Sequence, residues 1–376
     1  MSSNSGPPAE AVPKPAAQAA DPAPMAPTVI VQTHGGGRLQ RLLSFVGWTG
    51  FILCGFSLMS YLGAKTDYFD TSEGIREQFH SRSQDAKDKI AIISVSGVIL
   101  EGDGFVKRQI DRIRADDDVR AVVLRIDTPG GTVTGSDYIF HHLVKLREEK
   151  KIPLVVSMGS MATSGGYYIA MAVGDQEQSI FAEPTTTTGS IGVIIPHYDF
   201  SGFLERWNIK DDSIASHERK QMLSMTRELN PEHRLIVQEY IDESFLRFKQ
   251  IVKQGRPVFR DGTDDITDKA TDTDLATGEM FSAQKAKKYQ LIDKIGFLDD
   301  ALDRAAALAN LQPQNVRIVQ YKKPTSLLNL TGLAQQQATG NRLQTLLELA
   351  APRAYYLTTS LPVLITASAM EPLGDQ

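Results

Sequence analysis

The stretch from Pro153 to Ala170, "PLVVSMGSMATSGGYYIA", joins an apolar run to a turn that contains two glycines. Residues 153–158 have the composition of a buried strand, because apolar and β-branched side chains dominate them. Ser164 then stands among small residues, and an apolar, aromatic run follows it. The stretch predicts a strand, a tight turn and a helix. Ser164 is either the N-cap of that helix or a nucleophile placed on the turn.

The chain on both sides of this stretch alternates strands with helices. Predicted strands occupy residues 90–99 and 121–127, and predicted helices occupy residues 109–119, 137–150 and 231–255. The last helix begins at a proline and ends at a glycine, which are the positions that these residues favour. Such alternation is typical of right-handed βαβ units around a largely parallel sheet. The fold class is therefore predicted as α/β, in a domain over residues 90–322.

The N-terminal part of the chain has a different character. Residues 1–40 are rich in Pro and Ala and are predicted to be disordered, since they hold little apolar surface to bury. Residues 41–64 carry no charge from Leu42 onwards and are long enough to cross a bilayer as a helix. A cleaved signal peptide is the alternative, but roughly forty residues precede the apolar run, too many for an ordinary leader. We expect a retained transmembrane anchor, followed by a linker over residues 65–89.

Charges beside the apolar run indicate its orientation. Arg38 and Arg41 flank one end of the run, whereas Lys65, Asp67 and Asp70 flank the other. The positive-inside rule places the N-terminus in the cytoplasm. The α/β domain is then expected on the other side of the membrane.

Composition and motifs exclude several classes of function. The 376 residues carry a net charge of −5, so no basic surface for nucleic acid is expected. A single cysteine, Cys54, lies in the apolar run, which leaves no disulfide framework and no cysteine-based metal site. No glycine-containing turn matches a P-loop or a dinucleotide-binding fingerprint. We therefore expect no metal, no cofactor and no nucleic-acid partner.

A second glycine-containing turn follows the strand at 121–127. It carries Gly130 and Gly131, and in a parallel sheet it lies at the same edge as the turn at Ser164. Unobstructed backbone N–H groups at such turns suit an oxyanion hole that faces a serine. The alternative is that both turns are only tight strand-to-helix connections. Because Ala162 stands where a G-x-S-x-G elbow needs its first glycine, an ordinary α/β-hydrolase is disfavoured.

A serine nucleophile needs a base, and the sequence offers three candidates. His197 and His217 are two of them. The third is Lys220, which precedes the apolar Met222 and Leu223 and can act as a base if desolvation keeps its amine neutral. The residues alone leave this choice open.

Several motifs in order resemble those of the SppA-type signal peptide peptidases. These motifs are "RIDTPGGTV", "SMATSGGYYIA", "TTTTGSIGVI" and then a lysine, and the resemblance covers residues 90–311. Members of that family are membrane-anchored Ser-Lys peptidases with a ClpP/crotonase-like fold of repeated β-β-α units. One catalytic unit behind one anchor is similar to the short bacterial form. The resemblance implies the bacterial inner or cytoplasmic membrane, crossed once, with the catalytic domain outside the cytoplasm.

The resemblance also assigns roles to particular residues. Ser164 takes the place of the nucleophile, and Lys220 that of the general base. Gly131 and the amide of Gly165 take the places of the oxyanion donors, and Ser190 that of the residue that orients the lysine. One departure from the family pattern occurs beside Lys220, where the sequence "HERKQMLSMTR" has a glutamine in place of the usual acidic residue.

The implied function is that of a serine endopeptidase for apolar peptides such as signal-peptide remnants. The resemblance further implies a homo-oligomeric ring whose Ser and Lys come from neighbouring subunits. Two other functions stay open: a catalytically silent membrane scaffold of the same fold, and an acyl-CoA hydratase or isomerase that uses the glycine turns as an oxyanion hole. The anchor disfavours the second, and Ser164 together with Lys220 disfavours the first.

The C-terminal extension, residues 323–376, does not favour one structure. Its apolar run "AYYLTTSLPVLITASAM" is interrupted by Pro362 and is too short and too broken for a second transmembrane span. Assembly contact, membrane-surface contact and disorder remain as alternatives.

Overall fold

The computed structural model describes residues 37–69, 75–260, 262–263, 265–268, 270–323 and 354–357. The predicted disordered tail thus lies almost wholly outside the described residues. Most of the C-terminal extension does so as well, except for residues 323 and 354–357. The chain divides into two units, Met1–Lys65 and Thr66–Gln376.

The first unit holds most of helix α1, which spans Arg38–Phe69. Its apolar part, Leu42–Leu62, is 21 residues long and fully exposed in the single chain. At 1.5 Å per residue that part measures about 31 Å, close to the thickness of a bilayer core. The helix therefore fits the transmembrane anchor that was predicted over residues 41–64.

Within the described residues, the second unit contains thirteen strands and seven further α-helices. The strands are β1 (Arg76–Arg82), β2 (Lys89–Ser96), β3 (Val119–Thr128), β4 (Gly130–Thr132), β5 (Leu154–Thr163), β6 (Ile180–Ala182), β7 (Thr187–Gly189), β8 (Thr267–Asp268), β9 (Thr273–Asp274), β10 (Met280–Ser282), β11 (Lys294–Ile295), β12 (Arg317–Lys322) and β13 (Tyr355–Leu357). The helices are α2 (Phe105–Arg114), α3 (Val133–Lys150), α4 (Gly165–Ala170), α5 (Ser201–Arg206), α6 (Pro231–Gly255), α7 (Ala283–Lys288) and α8 (Leu298–Leu308).

The main sheet has nine strands, with β1, β12, β2, β3, β5, β6 and β11 side by side in that order. The strands from β12 to β11 pair in parallel, whereas β1 runs antiparallel to β12 at one edge. The second half of β5 pairs with β7, and β10 pairs with β7 in turn. The predicted α/β class and largely parallel sheet are confirmed.

Several boundaries differ from those predicted, two of them in the first part of the domain. Residues 76–82 form β1 of the main sheet, although residues 65–89 were predicted to be a linker. The helix predicted over 109–119 instead spans Phe105–Arg114, because Val119 already belongs to β3, which pairs with β2. Residues 76–82 carry mostly polar side chains at the edge of the sheet, so they show little of the apolar alternation that marks a strand. Helix α2 ends at its C-cap, Ala115, before the acidic run at residues 116–118 that the predicted helix included.

The core lies on both faces of the sheet, as the alternation of side chains along β2 illustrates. Ile90 and Ile92 point to the face that α8 covers. Ala91 and Ile93 point to the opposite face, which is covered by α2, α3, α4 and α6. With both faces covered, the carboxyl ends of β3 and β5 are left as the accessible edge of the sheet, where ligands bind in such folds.

Candidate active site

Ser164 occupies the turn between β5 and α4. The strand does not end at residue 158, as predicted, because its last three residues pair with β7 and extend it to Thr163. The backbone at Ser164 has φ +55° and ψ −113°, a conformation that is costly for a residue with a Cβ. The side chain makes no capping hydrogen bond, and the residue is 1% exposed. The capping role that the sequence left open is therefore not supported.

The end of β7 holds this turn in place. The backbone N–H of Ser164 donates to the carbonyl oxygen of Gly189 at 2.8 Å. Ser190, the next residue, is buried with φ +52°, and its N–H donates to the carbonyl oxygen of Glu279 at 2.8 Å. Ser190 directly follows Gly189, so one backbone hydrogen bond and one peptide bond connect Ser164 to Ser190.

The turn after β3 is organised by Thr128. The Oγ1 atom of Thr128 donates to the carbonyl oxygen of Gly97 at 2.5 Å and accepts from the N–H of Gly130 at 3.0 Å. Gly130 has φ +103°, in the left-handed region that favours glycine. A Cβ on Gly131 would overlap the carbonyl oxygen of Ile99, which pairs alongside it. Both glycines are therefore required by the local backbone.

The two glycine turns lie against each other. A Cβ on Gly130 would lie 2.8 Å from the backbone nitrogen of Gly165, and a Cβ on Gly165 would lie 3.3 Å from the Cα of Gly130. Such an approach is open only to glycine at both positions. The structure thus brings Gly130, Gly131 and Gly165 together beside Ser164, which leaves backbone N–H groups from two turns next to one hydroxyl.

A strand from the C-terminal extension lies along the first of these turns. Strand β13 pairs antiparallel with β4, so that Tyr356 is opposite Gly131 and Leu357 is opposite Gly130. On its other side, Tyr355 exchanges two hydrogen bonds with Ile194, at 3.0 and 2.9 Å. An extended segment is therefore hydrogen-bonded on both sides directly beside the glycine turns.

The side chain of Tyr356 fills a buried aromatic pocket. Its ring stacks on that of Tyr168 with centroids 5.1 Å apart and contacts Phe248 at 4.6 Å. Its hydroxyl donates to the carbonyl oxygen of Ser244 at 2.8 Å. Burial raises the pKa of Tyr356 well above its ordinary value, and burial and the hydrogen bond to Asp137 do the same for Tyr168. Both phenols are neutral at physiological pH, so two uncharged aromatic rings stack in this pocket.

A cavity of about 710 Å³ continues from the N-terminal end of β13. Thr132, Tyr138 and Ala354 form part of its wall, and Met222 and Leu223 form another part. The last two residues follow Lys220 closely in sequence. The segment that carries the candidate lysine therefore borders the groove in which β13 lies.

Two of the candidate bases, His217 and Lys220, are exposed in the single chain, and His197 is half-buried. Lys220 is exposed on a short 3₁₀ turn, Glu218–Gln221, and its N–H donates to the carbonyl oxygen of His217 at 3.0 Å. His217 accepts from the N–H of Arg219, and the ring of His197 contacts the carbonyl oxygen of Ser224 at 3.2 Å. Among the described residues, no hydrogen bond joins Lys220 or either histidine to Ser164. The structure brings Ser164, Ser190 and the glycines together, but not the base.

The chain resembles known proteases along most of its length. The model of Peptidase family S49 matches residues 146–312. A provisionally named protease of Synechocystis sp. is 35% identical over 67% of this chain and 86% of its own length. The provisionally named signal peptide peptidase SppA of Enterococcus faecium is 29% identical over 73% of this chain and 83% of its own. Protease 4 of Salmonella typhi is 31% identical, and this chain spans 44% of its length.

The largely parallel α/β sheet carries a buried serine beside two glycine turns, and the proteins that this chain is similar to are peptidases. The chain belongs to Peptidase family S49, and the predicted SppA-type relationship is confirmed.

The pairing of β13 with β4 was not predicted from the sequence. The apolar "AYYL" run at residues 354–357 was visible, but its partner lies more than two hundred positions earlier, beyond any local pattern. Two signals were available: an apolar segment of strand composition and, at Gly130–Thr132, a short edge next to the glycine turn that lacked a partner in the predicted sheet.

Proposed function

We propose that this peptidase is a membrane-anchored serine endopeptidase that uses Ser164 and Lys220 to cut apolar peptides, signal-peptide remnants among them. The observation that supports it best is the position of Ser164, buried and strained beside two glycine turns. An extended chain is already hydrogen-bonded along that turn, in the way that β-strand addition holds a peptide on a sheet edge.

The reaction follows from the chemistry of these groups. A peptide that pairs with β4 presents its carbonyl to the N–H groups of Gly131 and Gly165, which stabilise the oxyanion as it forms. Ser164 Oγ attacks the carbonyl carbon, and its proton passes to the neutral amine of Lys220 and then to the leaving nitrogen. Water activated by the same amine then hydrolyses the ester and frees Ser164.

Ser190 is proposed to orient the lysine amine. Its position is fixed relative to Ser164 through the hydrogen bond between Ser164 N–H and the carbonyl oxygen of Gly189. A hydroxyl in that place can accept a hydrogen bond from the amine and keep the nitrogen lone pair directed at the serine. Its role would therefore be one of positioning.

A second subunit is needed to complete this site, since Lys220 is exposed in the single chain and a neutral amine base requires dry surroundings. The segment before Lys220 also exposes large apolar side chains, as oligomer contacts do. These are Phe203, Trp207, Ile209 and Ile214. We therefore propose a homo-oligomeric ring in which Lys220 of one subunit serves Ser164 of its neighbour.

Mixing two inactive variants tests this arrangement. Ser164→Ala chains keep the lysine, and Lys220→Ala chains keep the serine, so a mixed ring contains intact shared sites and regains peptide hydrolysis after co-assembly. Each variant alone stays inactive. If light scattering shows mixed oligomers but no activity returns, then Ser164 and Lys220 do not act across a subunit boundary.

The proposed location is the bacterial inner or cytoplasmic membrane, with the catalytic domain outside the cytoplasm. Support comes from the apolar length of α1 and from the charge bias at its ends, two arginines on one side against an acidic flank on the other. Protease added to intact spheroplasts should digest the second unit. Protection of that unit until the membrane is permeabilised would reverse the orientation.

An acylating probe for reactive serines separates the enzyme from a silent scaffold and from an acyl-CoA enzyme. Wild-type protein should be labelled at Ser164, and Ser164→Ala should not be labelled. Ser160→Ala is the matched control, because Ser160 lies in β5, four residues before Ser164, but is exposed and hydrogen-bonded to Asp127 at 2.6 Å. If neither wild-type protein nor Ser164→Ala were labelled, the result would favour the scaffold.

A further inference from the structure

We propose that Asp211 is the positioning residue for Lys220, and that its carboxylate closes residues 211–227 into one loop that presents the lysine amine to Ser164 of the neighbouring subunit. Residues 211–227 are called the lysine loop below. The inference rests on the proposed function, which makes Lys220 the general base, and it adds the group that holds this base in place. Its evidence is the hydrogen bonding of one carboxylate and of one glutamine inside the loop.

The lysine loop lies in a long connection with little regular structure. Between the end of α5 at Arg206 and the start of α6 at Pro231, all of which the structure describes, the only helical turn is the 3₁₀ turn that carries Lys220. Connections longer than about 12–15 residues without secondary structure are uncommon and are usually functional. A base that is displaced by about 1 Å can lose about 10²-fold in rate, so a base on such a loop has to be held in place.

The carboxylate of Asp211 joins the two ends of the lysine loop. Its Oδ1 atom accepts from the N–H of Ser213 at 3.0 Å and from the hydroxyl of Ser213 at 2.5 Å. Its Oδ2 atom accepts from Thr226 Oγ1 at 2.5 Å and from Arg227 Nε at 3.0 Å. The guanidinium of Arg227 also donates to the backbone carbonyl oxygen of Asp211 at 3.4 Å. One side chain thus holds residues 211–213 against residues 226–227.

This carboxylate is charged and largely shielded from solvent. The side chain of Asp211 is only 13% exposed. Hydrogen bonds from Ser213, Thr226 and Arg227 hold the pKa of Asp211 far below its ordinary value. Hydrogen bonds to an ionised acceptor are about twice as strong as neutral ones, and a network of them contributes more than an isolated surface ion pair. The loop therefore stays closed over the whole pH range in which an amine base works.

Gln221 connects the lysine turn to the end of the loop that Asp211 holds. Its Nε2 atom donates to the carbonyl oxygen of Ser213 at 3.4 Å. Gln221 directly follows Lys220 and stands where the family pattern has an acidic residue. An ionised carboxylate has no proton to donate to that carbonyl. The departure from the family pattern therefore supplies a bond that ties the lysine turn to the loop.

Two further contacts attach the far side of the loop to the rest of the domain. The N–H of Phe200 donates to the carbonyl oxygen of Met225 at 2.8 Å, and the ring of His197 contacts the carbonyl oxygen of Ser224 at 3.2 Å. The side chain of Lys220 is exposed, and its amine has no hydrogen-bond partner among the described residues of the single chain. The loop thus fixes the backbone at Lys220 and leaves the amine for a group on another subunit.

Mixed rings test the inference, because they show on which chain Asp211 acts. Lys220→Ala chains supply the serine, and Ser164→Ala chains supply the lysine. Asp211→Asn on the lysine-supplying chain should lower kcat of the mixed ring by about 10²-fold at an unchanged KM, since the base is displaced but the groove is not. The same substitution on the serine-supplying chain should cause no such loss, because that loop carries no lysine.

Asp212→Asn is the matched control, since it removes the same charge one position along from an exposed side chain. Thr226→Val and Thr226→Ser form a second pair, because valine removes the hydroxyl that donates to Asp211 and serine keeps it. On the lysine-supplying chain, Thr226→Val should lower kcat, and Thr226→Ser should retain most of it. Thermal melting and light scattering check that each mixture has folded and assembled.

The outcomes separate this inference from the function on which it rests. The inference is overturned, and the proposed function stands, if Asp211→Asn on the lysine-supplying chain leaves kcat unchanged. An equal loss from either chain, or an equal loss with Asp212→Asn, also overturns it. If the mixture without Asp211→Asn is inactive although wild-type protein is active, the shared site of the proposed function fails, and the inference fails with it.

Discussion

The backbone N–H of Ser164 donates to the carbonyl oxygen of Gly189 at 2.8 Å, which joins the turn after β5 to the end of β7. Gly189 adopts φ +84°, so the chain can turn there and bring Ser190 next to the site. The same hydrogen bond holds Ser164 in its strained backbone conformation, and the side chain of Ser164 does not cap helix α4. The position of the candidate nucleophile is thus set by backbone bonds from a neighbouring strand.

Replacing Ser164 with alanine should abolish peptide hydrolysis and leave the fold intact. The hydroxyl is the proposed attacking group, and the loss of such a nucleophile lowers kcat by about 10⁴ to 10⁶-fold. Because the serine side chain makes no capping hydrogen bond, thermal stability should change little. Turnover of an apolar peptide and the melting temperature are the measurements. Undiminished turnover would remove Ser164 from the mechanism.

Replacing Lys220 with alanine should be as damaging as the loss of the serine. The two groups act as one unit, so the double variant should be no slower than either single variant. Lys220→Arg should fail too, since a guanidinium stays protonated and cannot accept a proton. The measurement is kcat for an apolar peptide.

His217→Ala is the matched control for the lysine variants. His217 starts the same 3₁₀ turn and is exposed like Lys220, so it tests local disruption without touching the amine. Activity close to that of wild type is expected for it. A reversed result, with His217→Ala inactive and Lys220→Ala active, would make histidine the base.

Replacing Gly165 with alanine should impair both catalysis and stability. A Cβ there would overlap the Oγ of Ser136 and lie 3.2 Å from the carbonyl oxygen of Tyr356. We expect a loss of about 1–3 kcal/mol in the free energy of unfolding. Displacement of an oxyanion donor should lower kcat by about 10² to 10³-fold. Urea denaturation and peptide turnover measure the two effects.

Gly202→Ala serves as the control for that substitution. Gly202 lies in α5 with nothing within 4 Å of a Cβ, and alanine is the better helix former. Stability should stay equal or rise slightly. If Gly165→Ala behaved like Gly202→Ala in both assays, the close approach of the two turns would not matter for function.

Local patterns were sufficient to predict the parts of the molecule that local forces decide. The apolar runs that were predicted from residues 90, 121 and 153 form β2, β3 and β5 because both faces of the sheet are covered, although β2 ends at Ser96 rather than at residue 99. The glycines at 130–131 mark a turn because Gly130 has positive φ and both glycines have close neighbours. The α/β class and one edge of the candidate site followed from these features.

The remaining features depend on partners distant in sequence. Strand β13 pairs with β4 and with Ile194, and β1 pairs with β12, so the partners of both strands lie far away in sequence. Lys220 is exposed in the single chain, so local sequence does not decide its surroundings. For Lys220 alone, the family resemblance supplied a hypothesis that periodicity did not.

Asp116 should contribute to stability at neutral pH, far from the site, at the start of β3. Burial disfavours its charge, but hydrogen bonds from Lys89 Nζ and from the N–H of Asp118, each 2.9 Å long, hold the pKa of Asp116 below its ordinary value. A lowered pKa means that this stability is present above the ordinary value of about 3.9 and is lost as the pH falls through the folded value. Asp116→Asn should therefore lower the free energy of unfolding by about 1 kcal/mol at pH 7, after allowance for solvent screening. It should also make the loss of stability at acid pH less steep.

Urea denaturation of Asp116→Asn between pH 2 and pH 7 gives the comparison. Asp118→Asn is the control, because the contact of that carboxylate with Lys87 is exposed and 3.6 Å long. It should change stability by less than about 0.5 kcal/mol. If the free energy of unfolding falls equally with decreasing pH in wild type and Asp116→Asn, this carboxylate does not control that fall.

The enzyme should prefer extended, apolar peptides over charged peptides and folded proteins. An extended chain can take the place of β13 beside β4, and a pocket of the kind that holds Tyr356 favours apolar or aromatic side chains. A folded protein has no free strand to offer. Rates for a short apolar peptide, a charged peptide of equal length and a folded protein measure the preference.

The same rates should rise from neutral to alkaline pH. An ammonium group cannot accept the serine proton, so only the fraction of enzyme with an unprotonated amine is active. An apolar substrate adds to this by excluding water from the base as it binds. The buried phenols of Tyr168 and Tyr356 have raised pKa values and remain neutral over this range, so they should not add an inflection of their own. Equal cutting of all three substrates would contradict the proposed groove, and an activity maximum below neutral pH would contradict an amine base.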